Sequence, residues 1–201
     1  MFAVLRNTLK NTTKTSLFSF STDKLRIKNA AIVLAGSGVA DGSEITEAVS
    51  LLISLSKLGS NIQCYAPNKQ QKDVVNHVVG QPLSESRNVL IESARICRGN
   101  IKDLSLLSSK NYDAVFLPGG FGAAKNWSNF AEKGADFQVD SEIERVLKAF
   151  VQDKKPIGAC CITPIILAKV FGANKVKLTL GQKTKEWEFS GTIGNLEFHL
   201  F

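Results

Sequence analysis

The sequence predicts an α/β protein with a mostly parallel sheet. Three observations predict it. Short apolar runs rich in β-branched residues alternate with longer segments of helical periodicity. Glycine clusters fall at the ends of three of those runs, at Gly36, Pro118-Gly119-Gly120 and the Gly158 to Cys161 junction. The 201-residue length with 44% apolar content is enough for one domain with appendages.

The elements follow in order. Ala30 onward reads AAIVLAG, a strand apolar on both faces, followed by GVADGSEITEAVSLLISLSKLG. Ile45, Val49, Leu52, Ile53 and Leu58 recur there at helical spacing. Asp41 or Ser43 can cap that helix, and Gly59 sits where a C-terminal cap belongs. Asn61 to Ala66 (NIQCYA) is a second strand closed by Pro67, and Arg87 to Arg98 is helical through Val89, Leu90, Ala94 and Cys97. Asp113 to Leu117 (DAVFL) is a third strand, and Val139 to Val151 a helix with Val139, Ile143, Val146, Leu147 and Phe150 on one side. The strand Pro156 to Cys160 and a helix from Pro164 complete the pattern. In such a sheet, ligands bind in the crevice at the carboxyl ends of the strands.

Residues 1–28 form a separate segment. They hold Arg6, Lys10, Lys14, Lys24, Arg26 and Lys28 against the single acid Asp23, with eight Ser or Thr and with Phe2, Leu5 and Leu9 at helical spacing. This is the composition of a mitochondrial transit peptide. A disordered basic tail has the same charge pattern. Taking six basic and one acidic residue from 25 and 18 leaves 19 against 17, so the formal charge falls from +7 to +2. The remaining lysines form no basic stripe, which argues against nucleic acid as a partner. No run reaches the roughly 18 apolar residues of a membrane span, so no membrane partner is expected.

Cys64, Cys97, Cys160 and Cys161 show no paired spacing, and with only His77 and His199 to add, no metal site is expected. The sharpest local feature is IGACCITP, residues 157–164, where a strand meets a helix at a cysteine pair. Thr163 can cap the helix and Pro164 suits its first turn. Cys161 at this elbow is a candidate nucleophile whose thiol the helix N-terminus should acidify, with Ile162 N–H as a candidate oxyanion donor. Cys160, in the strand, is expected to point away and pack. Two ordinary buried cysteines would give the same spacing. Gly119 and Gly120 can bring further backbone N–H groups to a ligand. GSGVADG is one residue longer between glycines than a dinucleotide loop, so no cofactor is expected. Glu44 and Glu47 open the following helix, and Glu47 can reach over the crevice.

The segments GSGVADGSEITEAV, YAPNKQQKDVVNHVVG, SESRNVLIESARICRG, LPGGFGAAKNWSNFA and KPIGACCITP occur in this order. Together they resemble the ElbB-like branch of the class I glutamine amidotransferase-like (PfpI-type) superfamily, over about residues 30 to 181. The resemblance implies a flavodoxin-like three-layer sandwich over residues 29–192, with a reactive cysteine at Cys161, a thiol-bonded glutamate at Glu47, and oxyanion donors at Gly120 and Ile162. It also implies a cofactor-free, glyoxalase-type conversion of a small dicarbonyl aldehyde to a hydroxy acid in the mitochondrial matrix, and a homodimer. The alternative within the fold is a non-catalytic thiol-sensing or binding protein. Amidotransferases proper place a histidine after the elbow helix, and Val170 to Gln182 contains none, which disfavours glutaminase activity. His77 is the internal candidate for a substrate contact. The tail KEWEFSGTIGNLEFHLF is expected to leave the family after Thr192, making residues 193–201 divergent and the domain C-terminally incomplete.

Overall fold

In a computed structural model of the chain, the described residues are 27–172 and 178, with the backbone of 2–5. The tail expected to diverge and most of the basic leader therefore lie outside the described residues, as does most of the histidine-free stretch after the elbow helix. The strands are β1 (Phe2–Leu5), β2 (Asn29–Val33), β3 (Asn61–Ala66), β4 (Val74–Asn76), β5 (Gln81–Leu83), β6 (Ile101–Asp103), β7 (Ala114–Leu117) and β8 (Ile157–Cys160). The helices are α1 (Ile45–Lys57), α2 (Val89–Ile96), α3 (Gly122–Lys125), α4 (Phe130–Lys133), α5 (Ser141–Gln152) and α6 (Pro164–Phe171).

The main sheet runs β1-β8-β7-β2-β3-β6, parallel from β8 to β6, with β1 antiparallel at one edge, while β4 and β5 form a separate hairpin. The four longest parallel strands are those expected. Alternate residues of β2 and its extension enter two cores. Ala30, Ile32 and Leu34 pack with Ala48, Leu51 and Leu55 of α1 and with Cys64, Ala66 and Val89. Ala31, Val33 and Ala35 pack with Ile143, Val146, Leu147 and Phe150 of α5 and with Ile166 and Phe171 of α6. This double burial is why β2 reads as an unbroken apolar run, and it makes the flavodoxin-type three-layer sandwich.

Three local expectations are corrected. The buried face of α1 is Ala48, Leu51 and Leu55, while Ile45 and Ile53 are exposed. The apolar arc of the helix is wide, running from Leu51 through Ala48 and Leu52 to Ile45 and Ile53, and the side packed on the sheet is the one that carries Ala48, Leu51 and Leu55. Its cap is Glu44, whose Oε2 accepts from Glu47 N–H at 2.6 Å. Asp41 is occupied with Val75 N–H at 2.7 Å, and Ser43 Oγ with Ala35 N–H at 2.8 Å. Residues 2–5 are extended rather than helical, with Phe2 opposite Cys160 and Leu5 opposite Ile157. An all-apolar FAVL run suits either state, and pairing satisfies the open backbone edge of β8.

At the other end of α1 the cap is as expected. Gly59 at φ 73° lets Ser60 N–H reach Leu55 O at 3.0 Å and Gly59 N–H reach Ser56 O at 2.9 Å, a Schellman closure. The loops at the carboxyl edge are tied by Asn126, 3% exposed. Its Nδ2 donates to Ala35 O at 2.8 Å and Asp41 O at 2.9 Å, and its Oδ1 accepts from Lys72 N–H at 2.9 Å. Asn126→Ala orphans three backbone groups and is expected to lower unfolding stability by about 3 kcal/mol. Urea denaturation followed by circular dichroism measures this, and a loss near zero would show that water replaces the side chain.

Candidate functional site

The site forms where the ends of β7 and β8 meet the start of α1. Strand β8 stops at Cys160, and Cys161 takes φ 55°, in the left-handed region that non-glycine residues rarely enter. That backbone costs about 1–2 kcal/mol and must be held by its surroundings. Thr163 supplies part of the hold. It is wholly buried, and its Oγ1 donates to Cys160 O at 2.7 Å and Leu117 O at 3.1 Å, joining both strand ends. The hydroxyl so used does not cap α6, contrary to the expectation. Pro164 does occupy the first turn.

Beside Cys161 runs the Pro118-Gly119-Gly120 loop. Gly119 N–H donates to Glu47 Oε2 at 2.7 Å, and Gly119 O accepts from Glu44 N–H at 2.9 Å. A Cβ on Gly119 would lie 2.4 Å from Cys161 Cβ, 2.7 Å from Glu47 Oε2 and 3.0 Å from Cys161 Sγ. Only glycine lets the three segments close to this distance. Gly120 has φ 97°, and a Cβ there would meet Glu44 N and Gly42 O at 2.4 Å each.

Cys160 corrects a second expectation. It is buried, yet its Sγ donates to Glu47 Oε2 at 3.4 Å and lies 3.7 Å from Leu117 O. The left-handed residue after it breaks the strand alternation, so both thiols address one carboxylate. Burial first, and then the Glu47 charge and its hydrogen bond, push the Cys160 thiol up to about 12.

The expected acidic thiol at Cys161 is also corrected. The residue is exposed, but its sulfur lies inward against Gly119 and Glu47. Desolvation, followed by the Glu47 charge, raises the thiol above its ordinary value. The N–H groups of Gly120 and Ile162 bond the sulfur and act in the opposite sense. Desolvation and the nearby carboxylate together outweigh these two donors.

Five of the six residues singled out therefore converge: Cys161, Glu47, Gly119, Gly120 and Ile162. His77 is placed against the Gly36–Gly42 loop instead. Its Nε2 accepts from Ala40 N–H at 3.2 Å and its Nδ1 donates to Val75 O at 2.9 Å, which sets the tautomer and occupies both ring nitrogens. Sequence reasoning missed Ser93, whose Oγ accepts from Gly36 N–H at 2.9 Å, and Lys125, which binds Ala40 O at 3.0 Å and Asp73 at 2.8 Å. A serine on the inner face of a helix was the available signal. An open cavity of about 420 Å³ lies elsewhere, lined by Gln70, Ser86, Arg87, Asn88, Ile91 and Glu92. Among the described residues no cluster of His, Cys, Asp and Glu could hold a metal, and no helix is long and apolar enough to cross a membrane.

A flavodoxin-type sheet with a cysteine on a left-handed turn at its carboxyl edge defines an amidotransferase-like protein. Known proteins agree. No protein-family model matches the chain. The crystal structure of an isoprenoid biosynthesis protein with an amidotransferase-like domain from Ehrlichia chaffeensis superposes with a TM-score of 0.72 at 41% identity, covering 75% of this chain and 72% of that one. The human glutamine amidotransferase-like class 1 domain-containing protein 3, mitochondrial, is 52% identical over 166 residues, 81% of this chain and 61% of the relative. The zebrafish (Danio rerio) ES1 protein, mitochondrial, is 39% identical over 163 residues, 79% of this chain and 60% of the relative. The chain belongs to the class I glutamine amidotransferase-like family and is similar to its mitochondrial ES1 proteins. It spans about three fifths of the length of the curated relatives it matches. The mitochondrial address read in the basic leader agrees with the names of these relatives.

The rate of iodoacetamide labelling at Cys161 is expected to rise with pH through a midpoint above the ordinary thiol value of about 8.5, because the protonated form is favoured. Peptide mass spectrometry across a pH series measures it. A midpoint below that value would mean the helix terminus dominates.

Proposed function

We propose that the chain converts small dicarbonyl aldehydes to hydroxy acids in the mitochondrial matrix, using Cys161 and Glu47 without a cofactor. The observation that carries this reading is the Glu47 carboxylate beside the Cys161 sulfur, with Gly119 N–H fixing one of its oxygens at 2.7 Å. A thiol held above its ordinary value needs a base, and this carboxylate is positioned to be one.

Glu47 takes the Cys161 proton as the sulfur adds to the aldehyde carbon, forming the S–C bond of a hemithioacetal. The oxygen that gains charge is held by the N–H groups of Gly120 and Ile162. Glu47 passes its proton to that oxygen, completing the hemithioacetal and regenerating the carboxylate, which then removes the hydrogen from the same carbon. The resulting enediol takes that proton back at the neighbouring carbon as the first oxygen's proton moves to the second. The product is a thioester of the hydroxy acid. Water hydrolyses it, releasing the acid and restoring the thiol.

The exposure of Cys161, away from the 420 Å³ cavity, favours a second reading, a thiol sensor in which oxidation replaces turnover. Glutaminase chemistry is disfavoured by the absence of histidine from Val170 to Gln182.

Glyoxal consumption and glycolate formation by the 201-residue chain test the proposal. Cys161→Ser is expected to abolish turnover, and Glu47→Gln to lower it by about 10²–10⁴-fold. Full turnover by Cys161→Ser would contradict the mechanism. Reversible oxidation of Cys161 with no aldehyde consumption would establish the sensor instead.

A further inference from the structure

Two cysteines remain outside this chemistry, and the fold joins them although their sequence spacing does not suggest it. Cys64 lies on β3, 2% exposed. Cys97 is the C-cap of α2 and half-buried, packed against the same apolar core as Cys64. After it the chain turns through Arg98 and Gly99, at φ 55° and 83°, directly into β6. There Ile101 pairs with Cys64 itself. Gln63 Nε2 donates to Asn100 Oδ1 at 3.3 Å and to Asn100 O at 3.4 Å, clamping the return turn to the residue before Cys64.

The two side chains are neighbours on this core, each the other's interaction partner, and Cys97 Sγ donates to Ser93 O at 3.4 Å. The partners are unequal. Cys64 is buried at 2% exposure and held as a thiol by its contact with Cys97 and by burial, whereas Cys97 is the more accessible of the two. One sulfur is thus suited to be attacked from outside, and the other waits behind it.

We propose that Cys64 and Cys97 are a redox modification site separate from Cys161, forming a reversible intramolecular disulfide when hydrogen peroxide oxidises Cys97. The Cys97 thiolate attacks the peroxide, forming an S–O bond as the O–O bond breaks and hydroxide leaves to become water. The Cys64 sulfur then attacks the sulfenic sulfur. An S–S bond forms, the S–O bond breaks, and the hydroxyl departs as water with the Cys64 proton. The two thiols lose two electrons in all, and one peroxide becomes two waters. This inference is independent of whether Cys161 turns over aldehydes.

The test treats the full chain with hydrogen peroxide, blocks remaining thiols with N-ethylmaleimide, and maps peptides without reduction. The expected result is a Cys64–Cys97 cross-linked peptide that dithiothreitol reverses and that also forms in Cys161→Ser. Cys97→Ser should abolish it, and Cys64→Ser should leave Cys97 trappable as a sulfenic acid by dimedone, several-fold above wild type. Circular dichroism checks that each variant folds, with Cys64→Ala as the substitute where serine does not. Recovery of both residues fully alkylated while Cys161 is oxidised would overturn the proposal, as would a cross-link joining Cys97 to Cys161.

Discussion

The hydrogen bond from Gly119 N–H to Glu47 Oε2, at 2.7 Å, joins the first turn of α1 to the loop after β7. The same oxygen accepts from Cys160 and lies beside Cys161, so one carboxylate couples three chain segments. The return bond from Glu44 N–H to Gly119 O, at 2.9 Å, makes the contact two-sided. Glu44 also caps α1 through Glu47 N–H, so the helix start, the loop and the carboxylate's aim are set together. A charge-assisted bond to a backbone amide is short and directional, which suits this task.

Against that frame, the left-handed Cys161 is tolerable. Its strain is offset by Thr163, which ties the ends of β7 and β8 with one hydroxyl, and by the close fit over Gly119. The site's electrostatics follow from the same packing. Burial and Glu47 beside the two sulfurs favour their thiol forms, whereas the Gly119 N–H opposes this at Cys160 and the Gly120 and Ile162 N–H groups oppose it at Cys161. Of the two cysteines, the exposed one has two such donors and the buried one has one, which separates their roles.

Much of this was legible in the sequence. Strands buried on both faces leave continuous apolar runs, so β7 and β8 could be read to within a residue and β2 at its start, and α5 showed its buried face because its other side is charged. The α1 face was not legible, since the apolar arc of that helix is wider than the side it buries and only packing chooses within it. Cys160 was misplaced because strand alternation holds only while the strand continues, and nothing in a cysteine announces a positive φ at the next position. Glu47 and the glycines were legible through the family resemblance. The bonds of Asn126 and Thr163 were not, because a buried polar residue bonded to distant backbone looks in sequence like one facing water. The nearness of Cys64 and Cys97 is likewise a product of topology, since it needs β6 to pair with β3.

The central claim is that a single carboxylate governs both thiols of the elbow. The most direct measurement is a ¹³C NMR titration of the cysteine Cβ signals in the wild-type chain and in Glu47→Gln. The account predicts that removing the charge lowers the midpoints of Cys160 and Cys161 together while leaving Cys64 and Cys97 in place. Movement of neither elbow cysteine, or of all four alike, would contradict it.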